Sequence, residues 1–104
     1  MTLRTWAKRS KFTYVGSVET GTEIRFGKAS KATVSDKHYG ALLAHFSKRE
    51  VPIGTSRTDP PKGSLGEWLI STVTPTAIAS YVGPILISEG YATRGVRPDL
   101  IKFS

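Results

Sequence analysis

Between Ser64 and Gly90 the chain is punctuated so closely that only two short helices and a tight turn fit the run "SLGEWLISTVTPTAIASYVGPILISEG". Ser64 and Glu67 form an S-x-x-E capping box in front of Leu65, Trp68 and Leu69, which predicts a helix over 65–72. Thr74 is placed to cap a second helix, with Pro75 in its first turn, where a missing N–H costs nothing. Ile78, Val82, Ile85 and Leu86 then fall on one helical face. Gly90 stands where a C′ residue in positive φ ends a helix. Inside this second helix sits Gly83-Pro84. Pro84 has no N–H to offer the Ser80 carbonyl, so the helix should kink there.

Upstream, Ser35 and Asp36 suit the N-cap and first turn of a helix running to about Arg49. Tyr39, Leu42, Leu43 and Phe46 supply its apolar face at i, i+3, i+4 and i+7. Val51-Pro52-Ile53 ends that helix in a short extended segment, and Pro60-Pro61 keeps residues 54–63 a loop. Downstream of Gly90, "YATRG" and "LIKF" predict two strands around the turn "GVRPD". The expected core is therefore Tyr39, Leu42, Leu43, Phe46, Leu65, Trp68, Leu69, Ile78, Val82, Ile85 and Leu86. Residues 12–27 predict a hairpin, with Phe12 and Tyr14 alternating on one strand and Ile24 and Phe26 on the other. Gly21 in "ETGT" is free to take positive φ in the turn. Such a hairpin is marginal alone, so it is expected to pack on the helices. Residues 1–11 form a basic arm that docks Trp6 on the core or follows a phosphate backbone. Residues 28–35 are polar and basic.

From residue 36 the order helix, strand, helix, turn, helix, strand, turn, strand resembles a winged helix-turn-helix domain. The stretch "TPTAIASYVGPILISEGYATRG" is similar to the third helix and first wing strand of that superfamily. The resemblance covers 36–103. It implies an α+β fold, a winged-helix-like three-helix core with a C-terminal β-hairpin wing, here with an N-terminal β-hairpin added, all in a single domain over 1–104. It also implies a third helix that enters the DNA major groove and reads bases with Arg, Lys, Asn or Gln. Here the face opposite the apolar stripe offers Ala79, Ser80, Gly83 and Pro84, with Ile87 beside them. None of these can make a bidentate contact to a base, and such a face suits packing against a protein surface at least as well.

Charge points elsewhere. The net charge is +7, with ten basic and four acidic residues in 1–52 and five against four in 53–104. A positive field of this kind favours polyanions through counterion release. The candidate nucleic-acid-binding residues are Arg4, Lys8, Arg9 and Lys11 on the arm and Arg25, Lys28, Lys31 and Lys37 along and after the hairpin. Arg94 and Arg97, with Lys102 nearby, lie on the wing. Side chains of this type grip phosphates and position a protein without reading sequence. The expected function is a small basic nucleic-acid-binding domain that works mainly through backbone contacts, open to a regulatory role, with DNA preferred to RNA. The alternative is a protein-interaction or assembly module on the same fold.

Other classes find little support. The chain lacks Cys, so disulfides, thiol catalysis and Cys-based zinc sites are excluded. His38 and His45 are seven residues apart, whereas a helical zinc pair needs i, i+4. The eight acidic residues are scattered, with no D-x-D pair. No G-x-S-x-G and no phosphate-binding glycine loop occurs. Neither catalysis, nor a metal, nor a cofactor is expected. No run is long enough to span a bilayer, and no apolar segment follows the basic start, so a cytoplasmic, membrane-free protein is the expectation.

Overall fold

The computed structural model describes residues 1–104 as an α+β fold with three helices and two antiparallel sheets. The first sheet is a meander of β1 (Thr2–Arg4), β2 (Lys11–Ser17), β3 (Gly21–Phe26) and β4 (Ser30–Val34), ordered β1-β2-β3-β4. Period-two alternation builds its two faces. Phe12, Tyr14, Thr22, Ile24 and Val34 are buried inward, while Lys11, Thr13, Val15, Arg25, Lys31 and Thr33 are exposed. The expected two-stranded hairpin is thus the middle of a four-stranded sheet.

The segments on either side of that hairpin contribute strands as well. Residues 1–11 are not a loose arm: Trp6 is docked in the core, as the first of the two readings expected, and Leu3 pairs with Phe12 and Arg4 with Lys11 between β1 and β2. The polar, basic residues 28–35 contain a strand that the sequence did not reveal, in which Ala32 pairs with Ile24 and Lys31 with Arg25.

Helix α1 (Asp36–Phe46) starts as predicted, with the Ser35 hydroxyl accepting from His38 N–H at 3.1 Å. It ends at Phe46 rather than Arg49, and Lys48 takes a left-handed turn at φ 58°. Tyr39, Leu42 and Phe46 are buried, while Leu43 is half-buried. Helix α2 (Leu65–Thr72) is capped by Ser64, which accepts from Glu67 N–H at 3.1 Å. The Glu67 carboxylate reaches back to Gly63 N–H at 2.9 Å, one residue beyond the expected partner. Trp68 is half-buried, edge-on to Phe46.

Helix α3 (Ala79–Ser88) begins four residues later than Thr74-Pro75 suggested. Its N-cap is Ile78, without a side-chain cap, and Ile78 is fully buried. Thr74 instead holds a local turn, accepting from Thr76 N–H at 3.4 Å. Burying Ile78 favours dropping the chain into the core before the helix starts. Gly90, at φ 87°, ends the helix as expected.

The second sheet consists of β5 (Glu50–Pro52), β6 (Ala92–Arg94) and β7 (Leu100–Phe103), ordered β5-β7-β6. Val51 pairs with Ile101, and Ala92 with Phe103. Phe103 stacks on Phe46 at 5.1 Å, fastening this sheet to α1. The buried apolar residues form one cluster running from Trp6 to Phe103, so both sheets and all three helices share a core.

Candidate nucleic-acid interface

The inner face of the four-stranded sheet covers α3. Trp6 lies on Gly83, where a Cβ would meet the indole at 2.8 Å and the Ile53 side chain at 2.8 Å. Only a residue with no side chain permits that approach. Pro84 completes the joint. Because it lacks an N–H, the Ser80 carbonyl has no donor four residues on. The Trp6 N–H donates to that carbonyl instead, at 2.9 Å. The indole N–H donates to the Pro98 carbonyl at 2.8 Å, and the Arg94 guanidinium sits 4.1 Å over the ring. Tyr81 stacks on Phe26 at 4.4 Å and meets Phe12 edge-on at 5.2 Å.

At the other end of α3, the Glu89 carboxylate accepts from the Tyr14 hydroxyl at 2.8 Å and from Val18 N–H at 2.9 Å. Burial, reinforced by the hydrogen bond to Glu89, pushes the Tyr14 phenol up to about 12. Burial likewise pushes Tyr39 up to about 12, although its 2.8 Å hydrogen bond to Thr22 acts in the opposite sense. The face expected to be free is therefore taken. Ala79 and Gly83 are buried, and Ser80, Pro84 and Ile87 are half-buried. The surface that this neutral, small-residue face packs against belongs to the same chain.

The outer face of the sheet gathers the charge. Arg4 stands opposite Lys11 and Arg25 opposite Lys31, two like-charged cross-strand pairs on one exposed face. The β1–β2 turn, with Lys8 and Arg9, and the β3–β4 turn, with Lys28, lie at the same end of the meander. An open concavity of about 430 Å³ is lined by Lys11, Thr13, Glu23, Arg25, Lys28 and Lys31. A smaller one of about 190 Å³ is lined by Arg4, Lys8, Arg9, Ser10 and Lys11. Lys11 belongs to both, so the seven cations form one continuous surface. Lys8 is held in the left-handed region at φ 60°.

Acid on this surface is sparse. Glu23 binds Arg25 at 3.1 Å in an exposed pair, and the structure's other ion pair is Arg97–Asp99 at 3.4 Å. Exposed pairs of this kind contribute little.

The remaining candidates divide. Arg94 and Arg97 line a third concavity of about 670 Å³ together with Lys8, which joins the β6–β7 hairpin to the basic end of the sheet. Arg94 is tied down, however, since it also donates to the Trp6 carbonyl at 2.8 Å. The hairpin turn is pinned by Glu50, which accepts from Val96 N–H at 2.9 Å. Lys102 stands between Glu50 and Thr93 on β7, away from that surface. Lys37 is not brought in: α1 leaves the sheet at the Thr22–Val34 end, opposite the basic turns. Ser10 and Thr13 join the surface and were missed from sequence. The signal for Thr13 is the alternation K-x-T at 11–13, legible only once strand β2 is paired; Ser10, in the β1–β2 turn, carries none.

No three acidic or histidine side chains converge to hold a metal ion. No helix is long and apolar enough to cross a membrane. Compared with family models, curated proteins and solved structures, the chain finds no match.

Proposed function

We propose that the chain is a small nucleic-acid-binding domain that takes its ligand on the basic end of the N-terminal sheet, through phosphate contacts. The observation carrying this reading is the convergence of Arg4, Lys8, Arg9, Lys11, Arg25, Lys28 and Lys31 on one exposed surface with a single acid, Glu23, among them. Directly opposed like charges destabilise a sheet, so two such pairs side by side fit a surface whose partner is an anion.

Residues 36–103 are proposed to be a winged helix-turn-helix unit. The order α1-β5-α2-α3-β6-β7 and the strand order β5-β7-β6 support that assignment. In this unit the third helix is occupied by the chain's own sheet, so base reading by α3 is not part of the mechanism. A catalytic role is not proposed.

The test is titration of labelled random-sequence DNA at two salt concentrations. Lys28→Ala with Lys31→Ala should weaken binding to all sequences equally and reduce the log–log salt slope by about 1.8. Ser80→Ala should leave binding unchanged. Affinity weaker than about 0.1 mM would sink the reading. The protein-interaction alternative would then take its place, favoured by Val96, which is 87% exposed on the pinned β6–β7 turn.

A further inference from the structure

Resting on the nucleic-acid reading, we infer that the ligand of the N-terminal sheet is a DNA double helix whose two backbones are gripped separately, one by Arg4 and Lys11 and the other by Arg25 and Lys31. The site lies wholly within residues 1–35, outside the helical unit.

Two observations carry this. The first is spacing. Arg25 and Lys31 share a transverse row with Thr2 and Thr13, while Arg4 and Lys11 stand two residues further along β1 and β2. With strands about 4.8 Å apart and a rise of about 3.4 Å per residue, the centres of the two pairs lie roughly 12 Å apart. That is about the width of the B-DNA major groove. An A-form RNA duplex offers a narrow, deep groove instead. Thr13 stands between the pairs, and its short hydroxyl lets the sheet lie close over the groove.

The second observation concerns aromatic side chains. Proteins that hold single strands stack successive bases on exposed rings. On this sheet Phe12 and Tyr14 are buried, and Phe26, half-buried at the edge of the basic concavity, has one ring face already stacked on Tyr81; none of the chain's Phe, Tyr or Trp residues is exposed. The surface can neutralise phosphates but offers no fully exposed ring on which successive unpaired bases could stack. Glu23 lies beside Arg25 and must yield it when a phosphate arrives; the exposed geometry of that pair makes the exchange inexpensive.

The experiment uses the full chain and three labelled probes of one mixed sequence: a DNA duplex, its single strand and the corresponding RNA duplex. The DNA duplex should bind at least about tenfold more tightly than either of the others at moderate salt. The two grips alone, with four phosphate contacts, contribute about −3.6 to the slope, a loss of at least about a hundredfold on raising salt fourfold, and Lys28 adds to it. Arg4→Gln with Lys11→Gln, and separately Arg25→Gln with Lys31→Gln, should each cut the slope on duplex DNA by about 1.8. Because the probe comparison uses the native chain, it stands even if a variant folds poorly. Equal or tighter binding of the single strand would overturn the double-helix inference while leaving the nucleic-acid reading in place. Equal binding of the RNA duplex would overturn the groove match. Failure of all three probes to bind would remove both.

Discussion

The two faces of the N-terminal sheet are made from alternate residues of the same strands, yet they answer to opposite demands. The inner face, with Phe12, Tyr14, Ile24 and Val34, is closed against α3 and the core. The outer face sets Arg4 against Lys11 and Arg25 against Lys31 in water. One face supplies stability through burial; the other withholds it by concentrating like charge. Charge that the fold does not need is where a partner is to be sought, and a helix face can lack binding chemistry because the chain itself fills it.

The contrast breaks most sharply at Trp6. Trp6→Ala should cost about 3–5 kcal/mol in urea unfolding. Gly83→Val should cost a similar amount, since its Cβ falls 2.8 Å from the indole and from Ile53. A wild-type unfolding midpoint for both variants would mean that the sheet is not fastened to α3.

The next effect is alkaline. Tyr39 is held near 12 in the folded state against an ordinary value of 10. Above pH 10 the unfolded chain has lost this proton and the folded chain keeps it, so stability is complete below 10 and declines as pH rises towards 12. The loss at pH 12 should be about 2–3 kcal/mol for Tyr39, with Tyr14 adding to the same decline. Tyr39→Phe should flatten that part of the profile, measured by unfolding at stepped pH.

On the outer face the sign reverses. Lys11→Glu, opposite Arg4, should raise stability by about 0.2–1 kcal/mol at low salt while weakening nucleic-acid binding. A loss of stability would show that the like-charged pair is not a liability. The smallest expected effect is at Lys8. Lys8→Gly relieves the left-handed backbone but adds unfolded-state freedom, leaving a gain below about 1 kcal/mol. Thermal melting would register it as a slight rise.

The sequence carried the helical half of the molecule well, because caps at Ser35 and Ser64 and stripes of period 3.6 are local signals. The β6–β7 hairpin was legible for the same reason, from its turn residues. Strands β1 and β4 were not. β1 has three residues and one inward apolar side chain, Leu3, too short for alternation to register. β4 places only Ala32 and Val34 inward among polar neighbours. Both are edge strands whose identity comes from pairing with β2 and β3. Thr74 misplaced the start of α3 because the depth at which Ile78 is buried is a tertiary fact. Within the candidate site, the cations were found individually from charge. Which of them meet depends on the meander's register, and that excluded Lys37 and tied Arg94 to Trp6.

The bond from Trp6 to the Ser80 carbonyl also bears on the order of folding. Residue 6 meets partners at 80, 83, 94 and 98, all distant in sequence. Contacts of such separation require closing a long loop before they return any energy, and that slows folding. α1, the local hairpins and the α2–α3 pair can form from near neighbours, but the acceptor that Pro84 leaves open exists only once α3 is helical. Docking of Trp6 is therefore a late event, expected to appear as a slow change in indole fluorescence after helical signal has been recovered. Until it occurs, the two halves of the chain behave as separate kinetic units.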